Sequence, residues 1–126
     1  MSGLKIATRE KDGVLVLDLN GKIGLGETNN VLHETLKQAV QDGHRKIVAN
    51  LGSVTGIDSS GLGELIAGYA TLEKNGGTMK LADISPRVTE LMTITKLLTV
   101  FDVFDTVEDA AASFDGGQAE AASQQG

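Results

Sequence analysis

The sequence predicts a single mixed α/β domain, in which an N-terminal hairpin joins a run of parallel strands and about four helices lie mainly on one face of the sheet. Three observations predict it. Two short apolar segments, Leu4 to Arg9 and Val14 to Leu19, flank Lys11-Asp12-Gly13, and Asp-Gly between such segments signals a hairpin. Segments with helical apolar spacing then alternate with short apolar runs of strand length, giving the order β-β-α-β-α-β-α-β-α. Right-handed crossovers between parallel strands place the intervening helices on a common side. A chain of 126 residues without cysteine can bury a core with neither disulfides nor a thiolate metal site.

In the second strand Leu15, Leu17 and Leu19 share one face, the expected core side, and Val14, Val16 and Asp18 the other. Asn20-Gly21 is expected to turn the chain into the Gly-rich stretch Gly21-Lys22-Ile23-Gly24-Leu25-Gly26. That stretch fails the P-loop order, since Lys22 precedes two of the glycines and is followed by Ile23. It also lacks the third glycine of a dinucleotide fingerprint, because position 29 is Asn. It reads as a flexible connection and contact loop. Thr28 to Asp42 carries Leu32, Leu36, Ala39 and Val40 on one helical stripe, with Thr28 or Asn29 as cap and Gly43 at the end.

Ile47 to Leu51 reads as a buried strand, and Leu62, Leu65, Ile66, Tyr69 and Leu72 as the apolar stripe of a helix from about Ser60 to Lys74. Asn75-Gly76-Gly77 stops it, and Thr78 to Ala82 is a short strand. Ser85-Pro86 supplies an N-cap and a first helical residue for the helix bearing Val88, Leu91, Met92 and Thr95. Thr99 to Phe104 reads as a last strand, broken by Asp102, and Thr106-Val107-Glu108-Asp109 resembles a capping box opening an Ala-rich helix to about Phe114. Asp115 to Gly126 has little apolar surface to offset the cost of ordering it, so the domain is expected to occupy 1–114 and end in a flexible tail, 115–126.

Composition narrows the function. The net charge is −6 and the basic residues are scattered, whereas nucleic-acid binders carry a basic stripe and, for single strands, aromatic platforms. Aromatics are limited to Tyr69, Phe101, Phe104 and Phe114, so no nucleic-acid partner is expected. His33 and His44 are too few and too badly spaced for a metal site. No apolar run reaches the length of a membrane span and Met1 to Lys11 has no signal-peptide core, so a cytoplasmic protein without membrane insertion is expected.

Between the central strand and the helix that follows lies Gly56-Ile57-Asp58-Ser59-Ser60-Gly61-Leu62-Gly63. Ser59 sits at the strand-to-helix junction, where the first backbone amides have no intrahelical partner and the helix dipole favours an anion. A hydroxyl there is placed to receive and hold a phosphate. Asp and Ser are also ordinary N-caps, but a cap needs neither Gly61 nor Gly63, each of which costs about 1 kcal/mol against Ala within a helix. Both are expected to keep the first turn bare, for close packing or for a partner. A serine-hydrolase elbow would need Gly-x-Ser-x-Gly, and position 57 is Ile, so no enzymatic activity is expected.

Ile57-Asp58-Ser59-Ser60-Gly61-Leu62-Gly63 resembles the signature of STAS domains, specifically the bacterial anti-sigma factor antagonists. Leu19-Asn20-Gly21, Ile47-Val48-Ala49-Asn50-Leu51, Gly76-Gly77, Ile84-Ser85-Pro86 and the segment from Leu97-Leu98 to Phe101 resemble the family too, over roughly Leu4 to Phe114. The resemblance implies a STAS-like fold and a partner switch. An unphosphorylated antagonist binds an anti-sigma factor, usually a serine protein kinase, which phosphorylates the Ser after the Asp, here Ser59; a serine phosphatase resets it. It implies a partner-binding surface of Asp58, Ser59, Ser60, Gly61, Leu62, Gly63 and Gly24, with no cofactor of its own, ATP and Mg²⁺ belonging to the kinase. Gly24 departs from the family, in which an acidic residue is common at that position. The fold also resembles accessory subunits of lipid or anion transporters and parts of stress-signalling assemblies, which is the alternative role.

Overall fold

The structure, a computed structural model, describes residues 4–24, 27–94 and 101–119. Strands β1 (Leu4–Lys11) and β2 (Val14–Ile23) form the hairpin, followed by α1 (Glu27–Gln41), β3 (Lys46–Ile57), α2 (Ser59–Lys74), β4 (Thr78–Ala82), α3 (Pro86–Ile94), β5 (Val103–Phe104) and α4 (Val107–Ala119). One five-stranded sheet has the order β1-β2-β3-β4-β5, antiparallel at the hairpin and parallel thereafter. The expected order of elements and the mixed sheet are therefore found. Thr95, the Leu97-Leu98 pair and the start of the last expected strand at Thr99 lie outside the described residues, as do Leu25, Gly26 and residues 120–126.

Local chemistry sets the hairpin and most helix ends. Asp12 and Gly13 adopt φ of 54° and 81°, the pair of left-handed residues a two-residue turn needs to match strand twist. Gly43 (φ 91°) ends α1, with His44 N donating to Ala39 O, and Gly76 (φ 82°) ends α2, with Gly77 N donating to Leu72 O. Ser85 Oγ accepts from Val88 N and Thr106 Oγ1 from Asp109 N, so both expected caps form.

The last strand, expected from Thr99, is only Val103–Phe104 among the described residues, since Phe101 and Asp102 are not strand, and the expected boundaries need correction in four further places. Asn20 and Gly21 do not turn the chain: β2 continues through them to Ile23, taking half of the Gly-rich stretch into the sheet. Gly21 (φ 112°) stays within the strand because β2 and β3 change register beside it. Strand β3 runs to Ile57 rather than Leu51, and α1 starts at Glu27, which puts Thr28 and Asn29 inside the helix rather than at its cap. Helix α4 extends to Ala119, past the expected end at Phe114.

Pairing between β2 and β3 begins with Leu15 opposite Ile47 and ends with Ile23 opposite Ile57. Register shifts between Asp18 and Asn20 and between Gly21 and Lys22 each add one unpaired residue to β3, as in β-bulges.

The core has two layers. Leu15, Leu17 and Leu19 face Ile47, Ala49, Leu51, Met79 and Leu81 beneath the buried side chains of α1, α2 and α3. Val14 and Val16, expected on the outer side, are also buried, because α4 returns across that face and packs Val107, Ala110 and Ala111 on Val14, Val16, Val48 and Ala82. Lys80 ties α4 down: its Nζ donates to Ser113 Oγ at 2.7 Å and lies 4.3 Å from the Phe114 ring centroid. Burial lowers the pKa of Lys80. Three helices on one face and one on the other match the expected disposition.

Candidate functional site

Strand β3 ends at Ile57 and α2 begins at Ser59, so Asp58 alone joins them. Its extended backbone (φ −109°, ψ −179°) and side chain make it the N-cap: Oδ1 accepts from Gly61 N at 2.9 Å. Asp58 O accepts from Leu62 N at 2.9 Å, and Asp58 N donates to Ile23 O at 3.2 Å. The helix start is thereby fixed to the end of β2 as well as to its own strand. Ser59, directly after the cap, is the first helical residue, at the positive end of the dipole.

The two glycines of the first turn differ in their surroundings. Gly61 is buried, and a Cβ there would collide with the Ile23 carbonyl and lie 2.8 Å from Ile23 Cγ2. Its bareness serves packing of α2 on β2. Gly63 is exposed with nothing within 4 Å of a Cβ, so the fold makes no steric demand on it. Gly24, immediately after β2, is buried: a Cβ there would lie 2.6 Å from Asp58 Oδ2 and 3.0 Å from Cγ. Lys22, exposed at the end of β2, passes beside Gly56, with Cε 3.8 Å from where a Cβ would stand.

Of the residues the sequence marks for partner contact, Asp58 and Gly63 are exposed and Ser60 is half-buried. Leu62 is 3 % exposed and belongs to the core, and Gly61 and Gly24 are enclosed by Ile23 and Asp58. The structure therefore gathers all seven around one junction but gives Leu62, Gly61 and Gly24 packing contacts.

Sequence reasoning missed three features nearby. Ile23, read as part of a loop, is the backbone on which α2 rests. Gly68, in the middle of α2, is enclosed by Leu36, so α1 and α2 approach closely there. On the same pair of helices His33 Nδ1 stands 4.0 Å from Glu64 Oε1, an atom that is buried and makes no hydrogen bond among the described residues. On the opposite face of the sheet, Asp18 accepts from Arg9 Nε at 2.7 Å and from Asn50 Nδ2 at 2.7 Å. The Arg9 hydrogen bond holds the Asp18 carboxyl below its ordinary value, and Asn50 adds to the effect. Asp18 and Asn50 line an open groove of about 550 Å³ with Lys5, Asn20 and Ser53. Among the described residues no group of three potential ligands could hold a metal ion, and no helix is long and apolar enough to cross a membrane.

Residues 5–110 match the STAS domain family. The anti-sigma-B factor antagonist of Staphylococcus aureus is 30 % identical over 105 residues, covering 83 % of this chain and 96 % of that protein. The anti-sigma F factor antagonist of Paenibacillus polymyxa is 28 % identical over 108 residues, 85 % of this chain and 92 % of the relative. The fold is shared with the anti-sigma factor antagonist SpoIIAA in its unphosphorylated form, at a TM-score of 0.75 and 20 % identity over 89 % of this chain and 97 % of the other. The phosphorylated form of the Bacillus protein superposes at a TM-score of 0.68 and 20 % identity, over 87 % and 99 % of the two chains.

Proposed function

The chain belongs to the STAS domain family of anti-sigma factor antagonists, and from that premise we propose that it works by partner switching at Ser59. Unphosphorylated, it binds an anti-sigma factor that is also a serine kinase; phosphorylation of Ser59 releases it, and a serine phosphatase restores it. The chain contributes a binding surface and a phosphate acceptor, and the kinase contributes ATP and metal.

The observation that carries this reading is the placement of Ser59 as the first residue of α2, directly beside an exposed Asp58 cap and close to the exposed Gly63. A phosphate there adds about −1.5 to −2 charges. In the free protein the helix N-terminus tolerates them, so the fold changes little. At a closed interface the same group must be desolvated beside the Asp58 carboxylate, where like charges repel. A loss of about 3 kcal/mol of binding weakens a complex more than a hundredfold, which suffices for a switch.

The test is capture of partners from the native cell, followed by incubation of the captured kinase and ATP with the wild type and with Ser59→Ala, Ser59→Asp and Ser60→Ala. Ser59→Ala should bind constitutively and resist modification, Ser59→Asp should bind poorly, and Ser60→Ala should still be phosphorylated. Phosphate on Ser60, binding that ignores modification of Ser59, or capture of a transporter ATPase in place of a kinase would each overturn the mechanism.

A further inference from the structure

We infer that Gly24 is a positioning residue of this site, acting through Asp58: the lack of a side chain at position 24 is what lets the Asp58 carboxylate lie against the end of β2 while it caps α2. The functional weight of this inference rests on the Ser59 switch proposed above, but the geometry stands independently of it.

The two carboxylate oxygens of Asp58 have different neighbours. Oδ1 holds Gly61 N at 2.9 Å, which fixes the third residue of α2 and with it the backbone of Ser59 and Ser60. Oδ2 is the carboxylate oxygen nearest Gly24, 2.6 Å from where a Cβ would stand, and both Cγ and Oδ1 are within 3.1 Å of that point. Real Cβ atoms do not approach oxygen so closely, so any side chain at position 24 must displace the carboxylate. The backbone that carries this exposed carboxylate has little room to yield. Asp58 N is bonded to Ile23 O, and Gly61 is packed on that same carbonyl, so the backbone on both sides of the carboxylate is fixed. The remaining freedom is rotation of the Asp58 side chain away from Gly24, which breaks the bond to Gly61 N and leaves the first turn of α2 without its cap.

Position 24 thus controls the presentation of Ser59 without touching a partner, since Gly24 itself is buried. Its influence runs from the end of β2 through one carboxylate to the helix start. A chain with any larger residue at position 24 would present a differently anchored first turn, and this makes position 24 a determinant of which partner the junction fits.

The experiment compares the wild type, Gly24→Ala, and Gly24→Ala combined with Asp58→Ser. Serine is an equally good cap with a shorter side chain, so the double variant should restore the cap in the space left beside the new methyl group. The readout is the Gly61 amide, by its proton chemical shift and its hydrogen exchange. Gly24→Ala should move the shift upfield and speed exchange at Gly61 about fivefold, the factor that corresponds to losing a typical cap; the double variant should return exchange close to the wild-type rate. An unchanged Gly61 amide in Gly24→Ala would overturn the inference. So would exchange that stays fast in the double variant, because the damage would then come from the backbone of position 24 and not from the carboxylate. In a second arm, capture of the serine kinase bound by the wild type should weaken at least fivefold with Gly24→Ala, and undiminished capture would overturn the functional part. If the wild type captures no kinase, the switch at Ser59 falls while the Gly61 amide still decides the role of Gly24.

Discussion

Adding one methyl group at each glycine of the first turn of α2 should have opposite consequences. Both residues are helical and neither has positive φ, so Ala gains about 1 kcal/mol of helix propensity at either position. At Gly63 nothing opposes the gain, since no atom lies within 4 Å of the new Cβ. At Gly61 the new Cβ meets the Ile23 carbonyl, which is strand backbone and also accepts the hydrogen bond from Asp58 N. No rotamer change relieves that contact, so overpacking costs toward the upper end of about 1–3 kcal/mol. The net expectation is a loss of about 2 kcal/mol for Gly61→Ala and a gain of about 1 kcal/mol for Gly63→Ala, a separation of about 3 kcal/mol. Urea unfolding at constant slope would register it as midpoints about 2 M apart, taking a slope of about 1.5 kcal/mol/M. Equal midpoints for the two variants would refute the assignment of Gly61 to packing.

Three further outcomes are expected. Asp18→Asn removes a carboxylate whose value Arg9 lowers from 3.8; the stability it contributes is present above that ordinary value and lost as pH falls through the lowered one. With the side chain 32 % exposed the effect is screened, so the variant should lose about 0.5–1 kcal/mol near neutral pH, and the difference from wild type should vanish in strong acid on a pH series of denaturant melts. Leu36→Ala should cost about 2–5 kcal/mol; combined with Gly68→Ala it should cost less than the sum of the single variants, since the new methyl enters the space Leu36 vacates, as a double-mutant cycle would measure. Deleting 115–126 should change stability by about 0.3 kcal/mol, because the described core contacts of α4 are made by Val107, Ala110, Ala111 and Phe114; a fall of many degrees in Tm would show that this segment docks.

Features written in local chemistry could be read from the sequence, and features set by distant pairing could not. Asp12-Gly13, Gly43, Gly76, Ser85-Pro86 and Thr106 each satisfy nearby backbone groups, and the turns, stops and caps they announce are present. The ends of β2 and β3 are different. Asn20, Gly21 and Gly56 have poor strand propensity, yet these residues pair because β2 and β3 lie beside one another over a long parallel run. Burial of Val14 and Val16 depends on where α4 comes to rest, some 90 residues later in the chain, which alternation within a ten-residue strand does not encode. At the site, the junction and its serine were legible from Asp58-Ser59 and the flanking apolar runs. The unlike roles of Gly61 and Gly63 were not, since they depend on Ile23, thirty-eight positions before Gly61.

The two unpaired residues of β3 have a consequence for how this chain can vary. Side chains alternate between sheet faces with a period of two, so an extra residue turns every later side chain to the other face unless a bulge absorbs it on the spot. Leu51, Val54 and Ile57 all reach the same core layer although they are three apart; each shift has absorbed its own extra residue. Removal of the extra residue at either shift, Gly52 or Thr55, would restore plain alternation there and leave Ile57 in the core with Asp58 beside Ile23 and Gly24. Removal of one residue from the regularly paired run 47–50 would have no bulge to absorb it and would turn the side chains on one side of the gap to the other face. Length changes in this strand should therefore be tolerated singly at the two shifts and not in the run before them, and a comparison of single deletions at Gly52 or Thr55 with one in the run 47–50 would find the former folded.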